Sequence, residues 1–181
     1  MSFAMGHRRG KLWQDTLALE EILRECDFNA SGKGERDFEI QTAERLKGNK
    51  YNLNNKVISQ YHNDGQVTSA YFFGKNHRPD LSLAEDGTAI ELKFVDRNLN
   101  SVKHAIGQAL IYRLYYKFAV LVLIISPDHK DLYEKAYLGQ ESHLDGLLEN
   151  LENDMNVFTI LKPAFKPRKG LGETISFFPK D

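Results

Sequence analysis

Apolar and polar residues alternate along two short runs in the middle of the chain. Leu81 and Leu83 alternate with Asp80, Ser82 and Ala84. Ile90, Leu92 and Phe94 alternate with Ala89, Glu91 and Lys93. A period of two is the signature of strands whose faces differ. Glu85-Asp86-Gly87 between the runs is a hairpin turn signal. With Glu85 and Asp86 as the loop, Ala84 pairs with Gly87 and Asp80 falls opposite Glu91. Cβ atoms of such a pair lie about 4.5–5.5 Å apart. With Asp86-Gly87 as the loop, Asp80 faces Lys93 instead. In both registers two carboxylates and an ammonium share one face, and the leucines, Ile90 and Phe94 take the other.

The same reading extends along the chain. Leu12, Trp13, Leu17, Leu19, Ile22 and Leu23 have helical spacing that ends near Cys26 and Asp27. Residues 29–34 predict a loop, and 35–46 a helix with Phe38, Ala43 and Leu46 inward, stopping at Lys47-Gly48-Asn49. Residues 56–61 and 66–73 predict strands around a second Asp-Gly turn at 62–65, and 74–78 a loop leading into Pro79. After a loop over 96–100, Ser101 is the expected N-cap of a helix whose stripe is Val102, Ala105, Ile106, Ala109 and Leu110. Gln108 and Tyr112 lie one turn apart on an adjoining face. The unbroken apolar run Phe118–Ile125 predicts a central strand covered on both sides. A helix from Ser126-Pro127-Asp128 to about Tyr137 follows. Leu144, Leu147, Leu148 and Leu151 predict another, and 157–161 and 174–178 predict late strands.

Composition narrows the class. A chain of 181 residues suffices for one domain with a sizeable core. Apolar content of 41% and charged content of 27% are those of a soluble globular protein, and a single cysteine fits the reducing cytoplasm, where the protein is expected. Net charge is −1, so any nucleic-acid surface must be a local patch. The single Cys26 excludes an intrachain disulfide and is expected to be a small buried side chain. Residues 1–11 contain no apolar core of a signal peptide, and Phe118–Ile125 is too short to span a bilayer, so no membrane role is expected.

Asp80 and Glu91 suit a hard divalent cation, Mg²⁺ or Mn²⁺, with the Leu92 carbonyl as a further ligand. Lys93 would orient bound water or stabilise charge developing on a phosphate. The plainer alternative is a solvated hairpin face carrying an ordinary cross-strand ion pair. Glu35 and Glu39 share a helix face and either could reach the hairpin carboxylates; equally, acidic residues favour a helix N-terminus. Lys75, His77 and Arg78 could touch phosphate just ahead of Asp80. Lys162, Lys166, Arg168 and Lys169 form the densest basic run, set among Pro163, Pro167 and Gly170. It is either a phosphate contact or a solvated loop.

The order of these elements resembles the PD-(D/E)XK nuclease superfamily. Pro79-Asp80 looks like its PD element and Glu91-Leu92-Lys93 like its (D/E)XK element. The helix segment 106–112, with Gln108 and Tyr112, looks like the helix that follows, where many members carry Gln and Tyr near the site. Gly34-Glu35-Arg36 is similar to a segment of archaeal Holliday-junction resolvases whose glutamate joins the metal site. The resemblance covers residues 34–125.

It implies an α/β, restriction-endonuclease-like core with a central mixed sheet flanked by helices; the domain is taken to run over residues 34–181, with 1–33, from their helical spacing, as a helical extension. It implies a metal-dependent nuclease, foremost a DNA endonuclease using Mg²⁺ or Mn²⁺. Asp80, Glu91, Lys93, Gln108 and Glu35 would form the catalytic set, with Asp80, Glu91 and Leu92 on the metal. Lys75, Arg78 and Tyr112, and from the basic run beyond the resemblance Lys166, Arg168 and Lys169, are the candidate nucleic-acid contacts, alone or with a second copy or partner protein. The rival readings are a non-catalytic binding or assembly module on the same fold, and a nuclease acting on RNA or small nucleotides.

Overall fold

The computed structural model describes residues 8–28, 34–48, 51, 53, 56–59, 66–96 and 100–179. The expected turn at 62–65, most of the loop at 29–34 and most of that at 96–100 lie outside them. The chain runs α1 (Gly10–Glu25), α2 (Glu35–Lys47), β1 (Val57–Ser59), β2 (Ala70–Phe72), β3 (Lys75–His77), β4 (Leu81–Leu83) and β5 (Thr88–Val95). It continues α3 (Asn100–Tyr112), β6 (Phe118–Ile125), a 3₁₀ turn, α4 (Lys130–Tyr137), α5 (Ser142–Met155), β7 (Val157–Pro163) and β8 (Ile175–Phe177). Among the described residues, no helix is long and apolar enough to cross a membrane.

Six strands form a mixed sheet in the order β1-β4-β5-β6-β7-β8. β5, β6 and β7 are parallel, and β1, β4 and β8 are joined antiparallel at the two sides. All eight residues of β6 are buried, as its continuous apolar run requires of a strand with a helical layer on each face. On one face, Leu81, Ile90, Leu92, Val120 and Phe158 pack with Trp13, Leu19 and Leu23 of α1 and Phe38 and Leu46 of α2. On the other, Leu121, Leu123, Val157 and Leu161 pack with Ala105 and Ala109 of α3, Tyr133 of α4 and Leu148 of α5. The protein is therefore α/β, with a mixed sheet between helices.

α1 is tied to distant parts of the chain. The Trp13 ring lies 5.3 Å from that of Phe118 and 5.5 Å from that of Phe158. Thr16 and Thr88 hydroxyls are hydrogen-bonded at 2.9 Å. Lys162 Nζ donates to the Arg24 carbonyl and to Thr174 Oγ1, each at 2.8 Å, and Ser176 Oγ donates to Glu20 Oε1 at 2.6 Å. Arg8 reaches Asn156 Oδ1 at 2.8 Å and Glu152 Oε1 at 2.9 Å.

Three local expectations are corrected. β1 and β2 do not pair with each other: β1 joins β4, and β2 joins β3 in a separate two-stranded ribbon. The loop expected over 74–78 is largely β3, reversed from β2 through Phe73 and Gly74, both at positive φ. Three-residue strands with no apolar alternation carry no period to read. In α3, which starts one residue before Ser101, Leu110 is 39% exposed and the inward residues are Ala105, Ala109 and Tyr112.

Candidate acidic site

The β4–β5 hairpin takes the first register. Leu81 pairs with Ile90, Ser82 with Ala89 and Leu83 with Thr88. Counting one pair outward sets Asp80 opposite Glu91, and the next sets Pro79 opposite Leu92. The turn closes through residues 84–87, where a Cβ on Gly87 would collide with the Leu83 carbonyl oxygen. Ala84 takes a left-handed φ of 63°. Because Pro79 has no N–H, it offers no ladder donor to the Leu92 carbonyl. Asp80 fills the complementary role with its side chain, and its Oδ2 accepts the Leu92 N–H at 2.8 Å. The N–H and C=O of one strand residue point to the same neighbour, so the Leu92 carbonyl also faces the Asp80 side.

β4 pairs with β5 only from Thr88 to Ile90. Past that point the edge of β5 is open to both helical layers, and groups from each converge there. From α3, Tyr112 donates its hydroxyl toward Glu91 Oε2 at 2.9 Å and the Arg78 carbonyl at 3.0 Å. Gln108 Nε2 lies 3.4 Å from that hydroxyl, while Gln108 Oε1 is buried with no hydrogen-bond partner among the described residues. From α2, Glu35 accepts a hydrogen bond from Lys93 Nζ. Glu39, one turn on, is 5% exposed and acts electrostatically on both Asp80 and Glu91. The sequence left Glu35 and Glu39 as alternatives; the helix brings both to the cluster.

The face carrying Glu91 is not solvated. Glu91 is 4% exposed under α3. Burial, then repulsion from Glu91 and Glu39, pushes the Asp80 carboxyl up to about 9. Burial also pushes Glu91 up, to about 7, against the opposing effects of the Tyr112 hydrogen bond and the Lys93 charge. Burial works against the Lys93 ammonium, but Glu35 and the other carboxylates hold its pKa above the ordinary value. Among the described residues, the Lys93 ammonium stands beside Asp80, Glu91 and Glu35, and the charge of Glu39 acts on both strand carboxylates. Crowded, dehydrated carboxylates are costly unless a proton or cation lies among them.

The chemistry of the donors fits a hard divalent cation. Two carboxylates and a carbonyl supply oxygen, and Mg²⁺ keeps several waters of its own. Among the described residues, no group of three or more His, Cys, Asp or Glu side chains is arranged to hold a metal by itself. The orphaned Gln108 Oε1 is an acceptor of the kind a metal-bound water would meet.

The expected nucleic-acid contacts are dispersed. Lys75 and Arg78 are exposed on and beside β3, the ribbon strand that leads into Pro79. Tyr112 is buried at 1% exposure and holds Glu91, so it stands within the cluster rather than on a nucleic-acid surface. Lys166, Arg168 and Lys169 are exposed in the loop after β7, two strands from β5. Lys162 does not join them: it lies within β7, 3% exposed, capping the end of α1. The fold and the cluster define an α/β protein with a half-buried aspartate opposite a buried glutamate on a mixed sheet. No family model, no curated protein and no solved structure matches the chain.

Proposed function

We propose that the protein is a metal-dependent nuclease that hydrolyses phosphodiester bonds, with DNA as its principal substrate, on a restriction-endonuclease-like fold. The observation that carries this reading is the half-buried Asp80 set opposite the buried Glu91 across the hairpin, with Lys93 beside them, a cluster of hard oxygen donors. Asp80, Glu91 and the Leu92 carbonyl would hold Mg²⁺ or Mn²⁺. The ion would act as a Lewis acid and lower the pKa of bound water.

The chain's own residues divide the remaining work. Tyr112 fixes the Glu91 carboxylate and keeps bulk water from that side. Glu35 holds the Lys93 ammonium, charged and half-buried, beside the carboxylates. From there Lys93 can orient the attacking water or neutralise charge developing on phosphate, an interaction strengthened by exclusion of solvent. Gln108 Oε1 can accept a hydrogen bond from water that the cluster orders.

Parallel digests of supercoiled DNA, single-stranded DNA and RNA, each with Mg²⁺, Mn²⁺ or EDTA, test the reading. Cleavage that needs metal and disappears in Glu91→Gln is expected, first on DNA. Cleavage of RNA alone would reassign the substrate. No cleavage of any of them with either metal would overturn the proposal.

A further inference from the structure

The ribbon formed by β2 and β3 has no part in the cluster chemistry, yet it carries the most exposed aromatic group in the described chain. Tyr71 is 70% exposed, Phe72 37% and Phe73 88%. Single exposed apolar residues are ordinary, but three in succession mark a contact surface. The Phe72 and Phe73 rings lie edge to face with centroids 4.6 Å apart, and the Phe72 centroid is 6.5 Å from that of His77. The base of the ribbon is held: Ala70 is buried, and Tyr116 donates its hydroxyl to the Thr68 carbonyl at 2.7 Å. A fixed base presents an exposed tip.

Charge decides what the tip fits. Lys75, His77 and Arg78 lie on the same ribbon, and no Asp or Glu occurs anywhere in residues 66–79. Lys75 is directly opposite Phe72 in the ribbon. Aromatic faces interleaved with cations match a strand of nucleic acid, with bases stacking on rings and phosphates meeting Lys and Arg. Bases inside a duplex already stack on each other and show only their edges in the grooves. The exposed ring faces therefore call for unpaired bases. Two copies packed tip to tip would bring like charges together.

We infer that the Tyr71–Phe73 tip is a stacking platform for unpaired bases, so that the substrate is nucleic acid with a single-stranded segment or end. This deepens the nuclease reading and rests on it for the cut itself. The ribbon is linked to the site: Arg78-Pro79-Asp80 is continuous chain, and the Tyr112 hydroxyl reaches both the Arg78 carbonyl and Glu91. Phe73 precedes Asp80 by seven residues, a reach of at most about 25 Å. With nucleotides spaced ~3.4 Å along a stacked strand, cleavage falls within roughly seven nucleotides of the platform.

The test is binding without metal. Wild type, Tyr71→Ala/Phe73→Ala and Phe73→Trp are titrated in EDTA with a single-stranded oligonucleotide containing 2-aminopurine and with a blunt duplex, and each variant's melting temperature is recorded. Expected are a fluorescence change on stacking, preference for the single strand, and a loss of affinity of about tenfold or more in the double variant at unchanged melting temperature. Phe73→Trp should retain binding. Equal affinity of double variant and wild type, preference for the duplex, or no binding at all would overturn the inference. So would tip-dependent binding to phosphatidylglycerol vesicles in place of the oligonucleotide, or a tip-dependent dimer in sedimentation. The two readings fail separately. Tip-dependent binding with no cleavage removes the hydrolysis and keeps the platform. Metal-dependent cleavage with tip-independent binding does the reverse.

Discussion

Asp80 and Glu91 bind protons more tightly in the folded protein than in the open chain, where such carboxyls titrate near pH 4. The folded state then holds more protons, and stability falls as pH rises. Without metal, the fall should run from about pH 4 through the raised values near 7 and 9. Melting temperatures in EDTA across that range should show it, and Asp80→Asn should flatten it. Identical slopes in both proteins would count against the crowded pair. Asp80→Asn keeps an oxygen for the Leu92 N–H and relieves the repulsion, so its stability without metal should match or exceed wild type. It should give little heat when titrated with Mn²⁺ and should not cut. Equal heats in both proteins, or none in either, would end the metal-site reading. Asp80, Glu91 and Lys93 were legible because strand alternation and a turn fix which side chains face each other. Tyr112 was placed near the site but assigned to nucleic acid, because a small error in the phase of α3 decides whether a tyrosine meets solvent or Glu91.

At the scale of elements, the β4–β5 hairpin positions the cluster. Gly87→Ala should destabilise the protein by about 1–3 kcal/mol, since the new methyl must displace the Leu83 carbonyl. Leu92 is fully buried between Glu91 and Lys93 of the motif. Leu92→Ala should cost about 2–5 kcal/mol, or roughly 4–20 °C in melting temperature for a chain of this size. Glu91→Gln should leave melting unimpaired while abolishing cleavage. A Leu92→Ala protein that melts like wild type would show that the site does not rest on this packing. The long elements were plain from period and length: α1, α2, α5 and β6. The β2–β3 ribbon was hidden, because its strands are three residues long and its turn uses Phe73 at positive φ, a conformation that aromatic residues seldom adopt.

At the scale of the whole molecule, the net charge near zero makes local patches decisive. Replacing Lys166, Arg168 and Lys169 together by Ala should weaken nucleic-acid binding and flatten its dependence on salt. Each lost phosphate contact lowers the logarithmic slope by about 0.9 on duplex DNA. An unchanged slope from low to moderate salt would assign this loop to solvent. The α/β class was readable from the alternation of helical and strand patterns, whereas the mixed sheet was expected from the resemblance. The place of Lys162 was not: a lysine beside three exposed cations reads as a fourth, and only the docking of α1 on β7 makes it an interior cap.

The ties of α1 also set a schedule. Trp13 packs on Phe118 and Phe158, Arg24 on Lys162, and Glu20 on Ser176, a separation of 156 residues. On a ribosome adding about 5–20 residues per second, that interval lasts roughly 8–30 s. For most of that interval β7 and β8 are not yet made, so the cover over Trp13, Leu19 and Leu23 is incomplete although α2 and the earlier strands have already emerged. This helix is the segment that a nascent-chain chaperone would meet longest. Stalled chains ending before β7 should leave it open to protease, whereas chains carrying β8 clear of the exit tunnel should protect it.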